Sequence, residues 1–157
     1  MGARRRAREC ALQILFGLDW TKGDVDEAID HYWTRFAGER PAAFEEIFTR
    51  SSQLVRGVVA RREALDAALT ECSHNWKLER MSVVDRNLLR IGAFELLFAE
   101  NRPPRKVVLN EAIEIAKKFG GADSGAFVNG VLHQLAETRG IRRGPGRGRV
   151  RRDGGGT

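Results

Sequence analysis

Residues 83–97 read VVDRNLLRIGAFELL, and their apolar side chains occupy most of the circumference of a helix. A helix of this composition is buried on several sides, so we predict that it lies at the centre of an all-α fold. Ser82 is the predicted N-cap, and Asp85 adds negative charge to the first turn. Gly92 lowers the helix propensity by about 1 kcal/mol, which predicts a close crossing with another helix at this position.

On both sides of this segment, apolar residues recur at helical spacing, and no stretch shows the sustained alternation of a strand. Further helices are predicted over residues 3–19, 25–37, 42–72 and 105–118 and from Asp123 or Ser124 onward. Because 42–72 is long for one helix, we predict a bend between Gly57 and Arg62. The total is six or seven helices in one domain over residues 1–138.

The composition places the chain among cytoplasmic proteins. A chain of 157 residues with 42% hydrophobic residues can bury a core without a disulfide or a metal. No apolar run approaches the ~20 residues that cross a bilayer, and Glu9, Gln13 and Asp19 interrupt the segment that a signal peptide would need to be apolar. Cys10 and Cys72 do not form a disulfide pattern, so we predict reduced thiols.

Positive charge is concentrated at the two ends of the chain. Residues 139–157 contain seven arginines and one aspartate, and the first eight residues contain four arginines. With a net charge of +6 overall, residues 9–138 carry −4. Clustered arginines commonly bind phosphate. Residues 139–157 are also rich in glycine and are predicted to be a disordered basic tail.

Patterns typical of catalysis are missing from the sequence. His31, His74 and His133 are far apart, and neither cysteine belongs to a CxxC pair, so we predict no metal and no cofactor. There is no GxSxG or GxxxxGK[ST] motif, so no enzyme activity is expected. Glu95 falls on the apolar stripe of 83–97 and is interpreted as a structural carboxylate bonded to a neighbouring helix end.

The first helix offers a pattern suited to RNA. At 100° per residue, Arg6, Glu9, Gln13, Phe16 and Trp20 fall along one exposed edge. Guanidinium, amide and aromatic groups together can neutralise phosphate, hydrogen-bond to bases and stack on them, as single-stranded RNA recognition requires. The alternative is a solvated arginine face whose two aromatic residues pack against a neighbouring helix. The sequence pattern alone leaves both open.

Three segments resemble the NusB family of bacterial transcription antitermination factors. They are RRRARECALQILF (4–16), VVDRNLLRIGAFELL (83–97) and KVVLNEAIEIAKKFGGADSGAFVNGVL (106–132), and the resemblance covers about residues 3–137. It implies two packed three-helix bundles. It also implies binding to the boxA element of ribosomal RNA transcripts together with NusE, a small-subunit ribosomal protein, in a complex on RNA polymerase that suppresses termination.

With this resemblance, the candidate residues form two groups. The RNA-binding candidates are Arg4, Arg5, Arg6, Arg8, Gln13, Phe16, Lys106, Lys117, Asp123, Ser124 and Phe127. The NusE-binding candidates are Trp76, Glu79, Met81, Asp85 and Arg86. Simpler roles stay open, with Asp123 as a helix cap, Phe127 as core and the two lysines as solvated side chains. Phe16 retains the ring but lacks the hydroxyl of relatives that carry Tyr.

Two other functions are compatible with such a domain. NusB-like domains also precede some ribosomal RNA methyltransferases, but no glycine motif for a cofactor follows here. A ribosome-assembly chaperone that acts through protein contacts would bind RNA without a preference for boxA. Family members occur as monomers and as homodimers, and the sequence favours neither.

Overall fold

The computed structural model describes residues 2–35, 40, 42–73 and 77–143. Within these residues the chain forms seven α-helices, a short 3₁₀ turn at Leu78–Arg80 and no strand. The helices are α1 (Ala3–Thr21), α2 (Val25–Thr34), α3 (Phe44–Ala60), α4 (Arg62–Cys72), α5 (Val83–Leu97), α6 (Arg105–Phe119) and α7 (Ser124–Thr138). The all-α prediction is confirmed.

The helices pack as two bundles that share α5. α1, α2 and α3 pack together, α6 and α7 pack together, and α5 contacts α1 and α3 as well as α6 and α7. α4 joins the two groups, because it follows α3 directly and lies against α5 and α7. Leu88, Leu89 and Ile91 of α5 are almost completely buried. The predicted central position of residues 83–97 is therefore confirmed, and Ser82 caps this helix by accepting a hydrogen bond from the backbone N–H of Asp85 at 3.1 Å.

Glycines allow two helices to approach α5 closely. A Cβ placed on Gly92 would lie 2.6 Å from Cδ1 of Leu132 on α7, which confirms the predicted close crossing. A Cβ on Gly57 would lie 2.2 Å from the Phe94 ring. Gly57 therefore lies inside α3 at a packing contact, and the bend predicted between 57 and 62 occurs at Arg61, where φ is −114° and ψ is 18°.

A buried ion pair joins the two bundles. The guanidinium of Arg8 on α1 donates to both carboxylate oxygens of Glu95 on α5, at 2.7 and 2.9 Å. Their side chains are only 8% and 7% exposed. The prediction that Glu95 is structural agrees with this arrangement, but its partner is an arginine side chain and not a helix end. The pair sets the rotation of α1 about its own axis.

A second polar network lies at the other end of α1. Asp19 accepts hydrogen bonds from Arg86 at 3.2 Å and from Asn87 at 2.8 Å. The buried Arg90 donates to both carboxylate oxygens of Asp66 on α4, at 2.8 and 3.0 Å, and its Nη1 lies 3.7 Å from Asp19. Both ends of α1 are thus tied to α5 by charged groups.

The described chain continues past the end of α7. The backbone N–H of Ile141 donates to the carbonyl of Ala136 at 2.9 Å, and Arg105 donates to the carbonyl of Ile141 at 3.1 Å. Ile141 packs on the core. Residues 139–143, which were predicted to belong to the tail, thus still contact the domain, and the rest of the predicted tail lies outside the described residues.

Removing one partner of the Arg8–Glu95 pair should destabilise the fold strongly. We expect Arg8→Met or Glu95→Leu alone to lower the free energy of unfolding by about 3–5 kcal/mol, because each leaves an uncompensated buried charge. The double variant replaces both charges by apolar groups and should recover most of that loss. Urea unfolding of the four proteins measures the coupling, and purely additive effects would contradict the interpretation.

Candidate nucleic-acid interface

The four arginines at the start of α1 point in different directions, because successive helical residues are rotated by about 100°. Arg4 and Arg6 are exposed, Arg5 is half-buried and Arg8 is buried. Neither Arg4 nor Arg6 forms an ion pair with any of the described residues. Arg8, predicted to bind phosphate, is instead committed to Glu95, and we leave it out of the candidate surface.

Arg5 is held in place by α6. Its guanidinium donates to both carboxylate oxygens of Glu111, at 2.7 and 3.0 Å. These hydrogen bonds, and the charge of Arg5, lower the pKa of Glu111 despite its partial burial. Because a lowered carboxyl pKa keeps the charge at lower pH, the pair stays ionised below the pH at which an ordinary glutamate takes up a proton. About a third of the Arg5 side chain remains exposed at this junction.

A shallow open groove of about 290 Å³ runs between α1 and α6. Its lining residues are Arg5, Glu9, Glu114, Lys117 and Lys118. Lys118 lies 3.2 Å from the carboxylate of Glu9, and Lys117 lies 3.4 Å from that of Glu114. The expectation that Glu9 lies on an exposed edge was wrong, because it is buried under this contact. The groove therefore contains cations that are positioned by neighbouring carboxylates.

Further along α1, an exposed edge carries Gln13, Phe16 and Trp20. Gln13 accepts a hydrogen bond from the hydroxyl of Tyr32 on α2 at 2.5 Å. Phe16 is 41% exposed and Trp20 is 71% exposed, with their ring centroids 6.3 Å apart. The alternative in which both aromatic residues pack against a neighbouring helix does not fit Trp20.

The start of α7 lies beside the groove. Asp123 is exposed, and its side chain makes no capping hydrogen bond. Ser124 is buried, and its hydroxyl accepts from the backbone N–H of Gly121 at 3.0 Å. A Cβ on Gly125 would lie 3.5 Å from Cγ of Lys117. Lys117 thus lines the groove and lies close to the first turn of α7, so the basic edge and the start of the last helix adjoin.

The two remaining RNA-binding candidates differ in accessibility. Phe127 is half-buried and packs against the core. Lys106 is exposed in the first turn of α6. Phe127 therefore packs the start of α7 against the core, whereas Lys106, five residues before Glu111, is open to solvent.

The NusE candidates are only partly accessible. Glu79 is exposed on the 3₁₀ turn, whereas Met81 is buried with 7% of its surface exposed, so the expected apolar anchor faces the core. Arg86 donates to the carbonyl of Leu78 at 3.2 Å and ties the turn to α5. Asp85 is half-buried at the start of α5. Trp76 lies outside the described residues.

The described residues contain no cluster of metal ligands, no membrane-spanning helix and no disulfide. Over 2–35, 42–73 and 77–143, no three His, Cys, Asp or Glu side chains converge as metal ligands. No helix in these ranges has the length and apolar character needed to span a bilayer. Cys10 and Cys72 are both free and buried, and burial raises the pKa of each thiol.

Sequence reasoning missed Lys118 and the carboxylates that position the cations. Lys118 and Glu9 are separated by 109 residues, and Arg5 and Glu111 by 106. No local spacing rule connects residues so far apart. The segment NEAIE (110–114) contains Glu111, but only the packing of α6 against α1 shows that Glu111 binds Arg5.

Known proteins share both the sequence and the fold. Residues 5–137 match the NusB family. The transcription antitermination protein NusB of Anaeromyxobacter dehalogenans is 47% identical over 133 residues, which is 85% of this chain and 89% of that protein.

Solved structures of NusB proteins are similar in fold to this chain. Thermotoga maritima NusB superposes with a TM-score of 0.74 at 32% identity, covering 85% of this chain and 90% of the other. A crystal structure of the antitermination factors NusB and NusE in complex with double-stranded RNA superposes with a TM-score of 0.72 at 25% identity, covering 88% of this chain and 98% of the other. From its sequence match, its helices and these relatives, the chain belongs to the NusB family of transcription antitermination proteins.

Proposed function

We propose that this protein binds boxA-type single-stranded RNA of ribosomal RNA transcripts together with NusE, and so supports processive transcription by RNA polymerase in the cytoplasm. The observation that carries the proposal is the exposure of Arg4 and Arg6 on α1, the helix that also presents Phe16. The solved complex of a NusB with NusE and RNA supports the same kind of assembly.

Electrostatic attraction comes from two kinds of cation. Arg4 and Arg6 can bind phosphate without giving up an ion pair in the described structure. Arg5, Lys117 and Lys118 are already held by carboxylates. Held cations lose little conformational freedom on binding, so they orient the RNA, while the two exposed arginines supply most of the counterion release.

Selectivity requires contacts to bases. Phe16 offers a ring face for stacking. The exposed carboxylate of Asp123 can accept a hydrogen bond from a base amine, by the chemistry through which acidic side chains recognise cytosine. The exposed start of α7 adds backbone N–H groups that attract phosphate. Because Lys117 contacts this first turn, one strand can lie across α1, the groove and α7.

NusE is proposed to dock beside the 3₁₀ turn, where Glu79 is exposed. An acidic side chain there suits a basic ribosomal protein, mainly by steering its approach. Arg86 supports the turn from within, and Asp85 lies next to it at the start of α5.

Replacing both exposed arginines should change how RNA binding depends on salt. In a chain truncated after Arg143, we expect Arg4→Ala/Arg6→Ala to make the log–log salt slope less negative by about 1.4, since each phosphate contact on a single strand contributes about 0.7. Fluorescence anisotropy with a labelled boxA RNA at several salt concentrations measures it. Arg50→Ala/Arg56→Ala on α3 is the matched control, and equal slopes for both double variants would refute the assignment.

The preference for boxA over a scrambled RNA should depend on Asp123. Asp123→Asn keeps the size of the side chain but removes the charge. We expect it to reduce the ratio of the dissociation constant for the scrambled RNA to that for boxA by about 5- to 100-fold, because one good base contact discriminates by about this factor. Phe16→Ala should weaken binding to both RNAs by a similar factor. The proposed site would be misplaced if Asp123→Asn kept the full preference.

Reversing the charge at the 3₁₀ turn should weaken NusE binding. We expect Glu79→Lys to slow association with NusE and to reduce the salt dependence of its rate. Stopped-flow or surface-binding kinetics measure both effects. Glu45→Lys, a charge reversal at an exposed glutamate of α3, should leave the rate close to that of the unchanged protein, and equal slowing by both variants would argue against docking at the turn.

A further inference from the structure

We propose that Trp20 is a second stacking position on α1, which extends the RNA-binding surface by one base beyond Phe16. The inference rests on the proposed RNA-binding function. It adds a residue that neither the basic start of α1 nor the first turn of α7 would identify.

The exposure of Trp20 points to a binding role. Trp20 is 71% exposed, more than any other large apolar residue of the described chain. Most of the Trp20 surface is therefore accessible to a ligand. Phe16 has a ring centroid 6.3 Å away and is tilted by 53°, so the two rings do not cover each other by parallel stacking. Exposed aromatic rings on a helix with basic residues can serve as stacking surfaces for the bases of a single strand.

Trp20 continues the line of the proposed RNA site. Arg6, Gln13 and Trp20 are seven residues apart, or about two helical turns, and all three are exposed. Trp20 therefore lies about 21 Å along α1 from Arg6, at 1.5 Å per residue. A Cβ on Gly17 would have nothing within 4 Å, so the surface beside the two rings is open to a ligand.

The acidic residue next to Trp20 in the chain does not face the proposed ligand. This residue, Asp19, faces α4 and α5 and is neutralised by Arg62 at 3.5 Å and Arg86 at 3.2 Å. The exposed Lys22 follows at the end of α1. The carboxylate next to Trp20 in the chain is therefore already paired, and the next charged side chain along the chain is a cation.

The surroundings of the two rings fit a nucleic-acid base better than a protein. Besides Phe16 and Trp20, the exposed large apolar side chains of the described residues are Val59 on α3 and Val107 on α6. Gln13, Gly17 and Thr21 on the same helix are exposed and not apolar. Protein-docking patches are contiguous apolar areas, whereas a base needs only the face of one ring.

The test uses the full chain and a boxA RNA, with two shorter RNAs that lack one nucleotide at the 5′ or the 3′ end. We expect Trp20→Ala to raise the dissociation constant for the full RNA about 5- to 100-fold with an unchanged salt slope, because stacking releases no counterions. Trp20→Phe should retain most of the affinity, and Val59→Ala all of it. For the RNA that lacks the nucleotide at the end reaching Trp20, the dissociation constant should be the same for Trp20→Ala and the unchanged protein.

A second measurement does not depend on the alanine variant. The difference in fluorescence between the unchanged protein and Trp20→Phe isolates the emission of Trp20, and we expect RNA to quench it. Equal RNA affinity of Trp20→Ala and the unchanged protein would overturn the inference, and so would weaker NusE binding in place of weaker RNA binding. Failure of the unchanged protein to bind any of the RNAs would overturn the proposed function as well.

Discussion

The Arg8–Glu95 ion pair, together with the buried apolar face of α1, fixes which side of this helix faces solvent, and the proposed RNA surface depends on that orientation. Because Arg8 is drawn into the interface with α5, the residues on the far side of α1 are directed outward. Arg6, Gln13, Phe16 and Trp20 are all exposed on that side. A buried pair of this kind gives little net stability but penalises every other rotation of the helix, since each would leave a buried charge unpaired.

Ion pairs also position side chains in the groove between α1 and α6, where the charged groups are more exposed to water. Glu111, Glu9 and Glu114 each hold one cation at the junction of α1 and α6. These carboxylates lower the net charge of the groove, but they also fix the positions of Arg5, Lys117 and Lys118. The surface thus combines positioned cations with two exposed arginines, and the exposed start of α7 adjoins it through Lys117. In the proposed complex, the positioned cations orient the RNA and the two exposed arginines attract it.

Local patterns predicted a large part of this molecule. The apolar circumference of 83–97, the Ser82 cap and the glycine at 92 concern neighbours along the chain or the face of one helix, so periodicity and capping rules apply to them directly. These rules do not predict contacts between helices, as Gly57 shows. The bend predicted between Gly57 and Arg62 occurs at Arg61, but no local rule predicted that Gly57 lies against the Phe94 ring of another helix.

What the sequence by itself determined is the set of helices, the buried position of α5, the family resemblance and the presence of arginines at the start of α1. The tertiary structure alone decided that Arg8 and Glu9 are buried, that Met81 faces the core and that Trp20 stands free of it. The physical reason is that helical periodicity defines the relative angles of side chains on one helix but not the rotation of that helix in the fold. That rotation follows from the packing of the apolar face in the core together with ion pairs between residues as distant in the chain as Arg5 and Glu111.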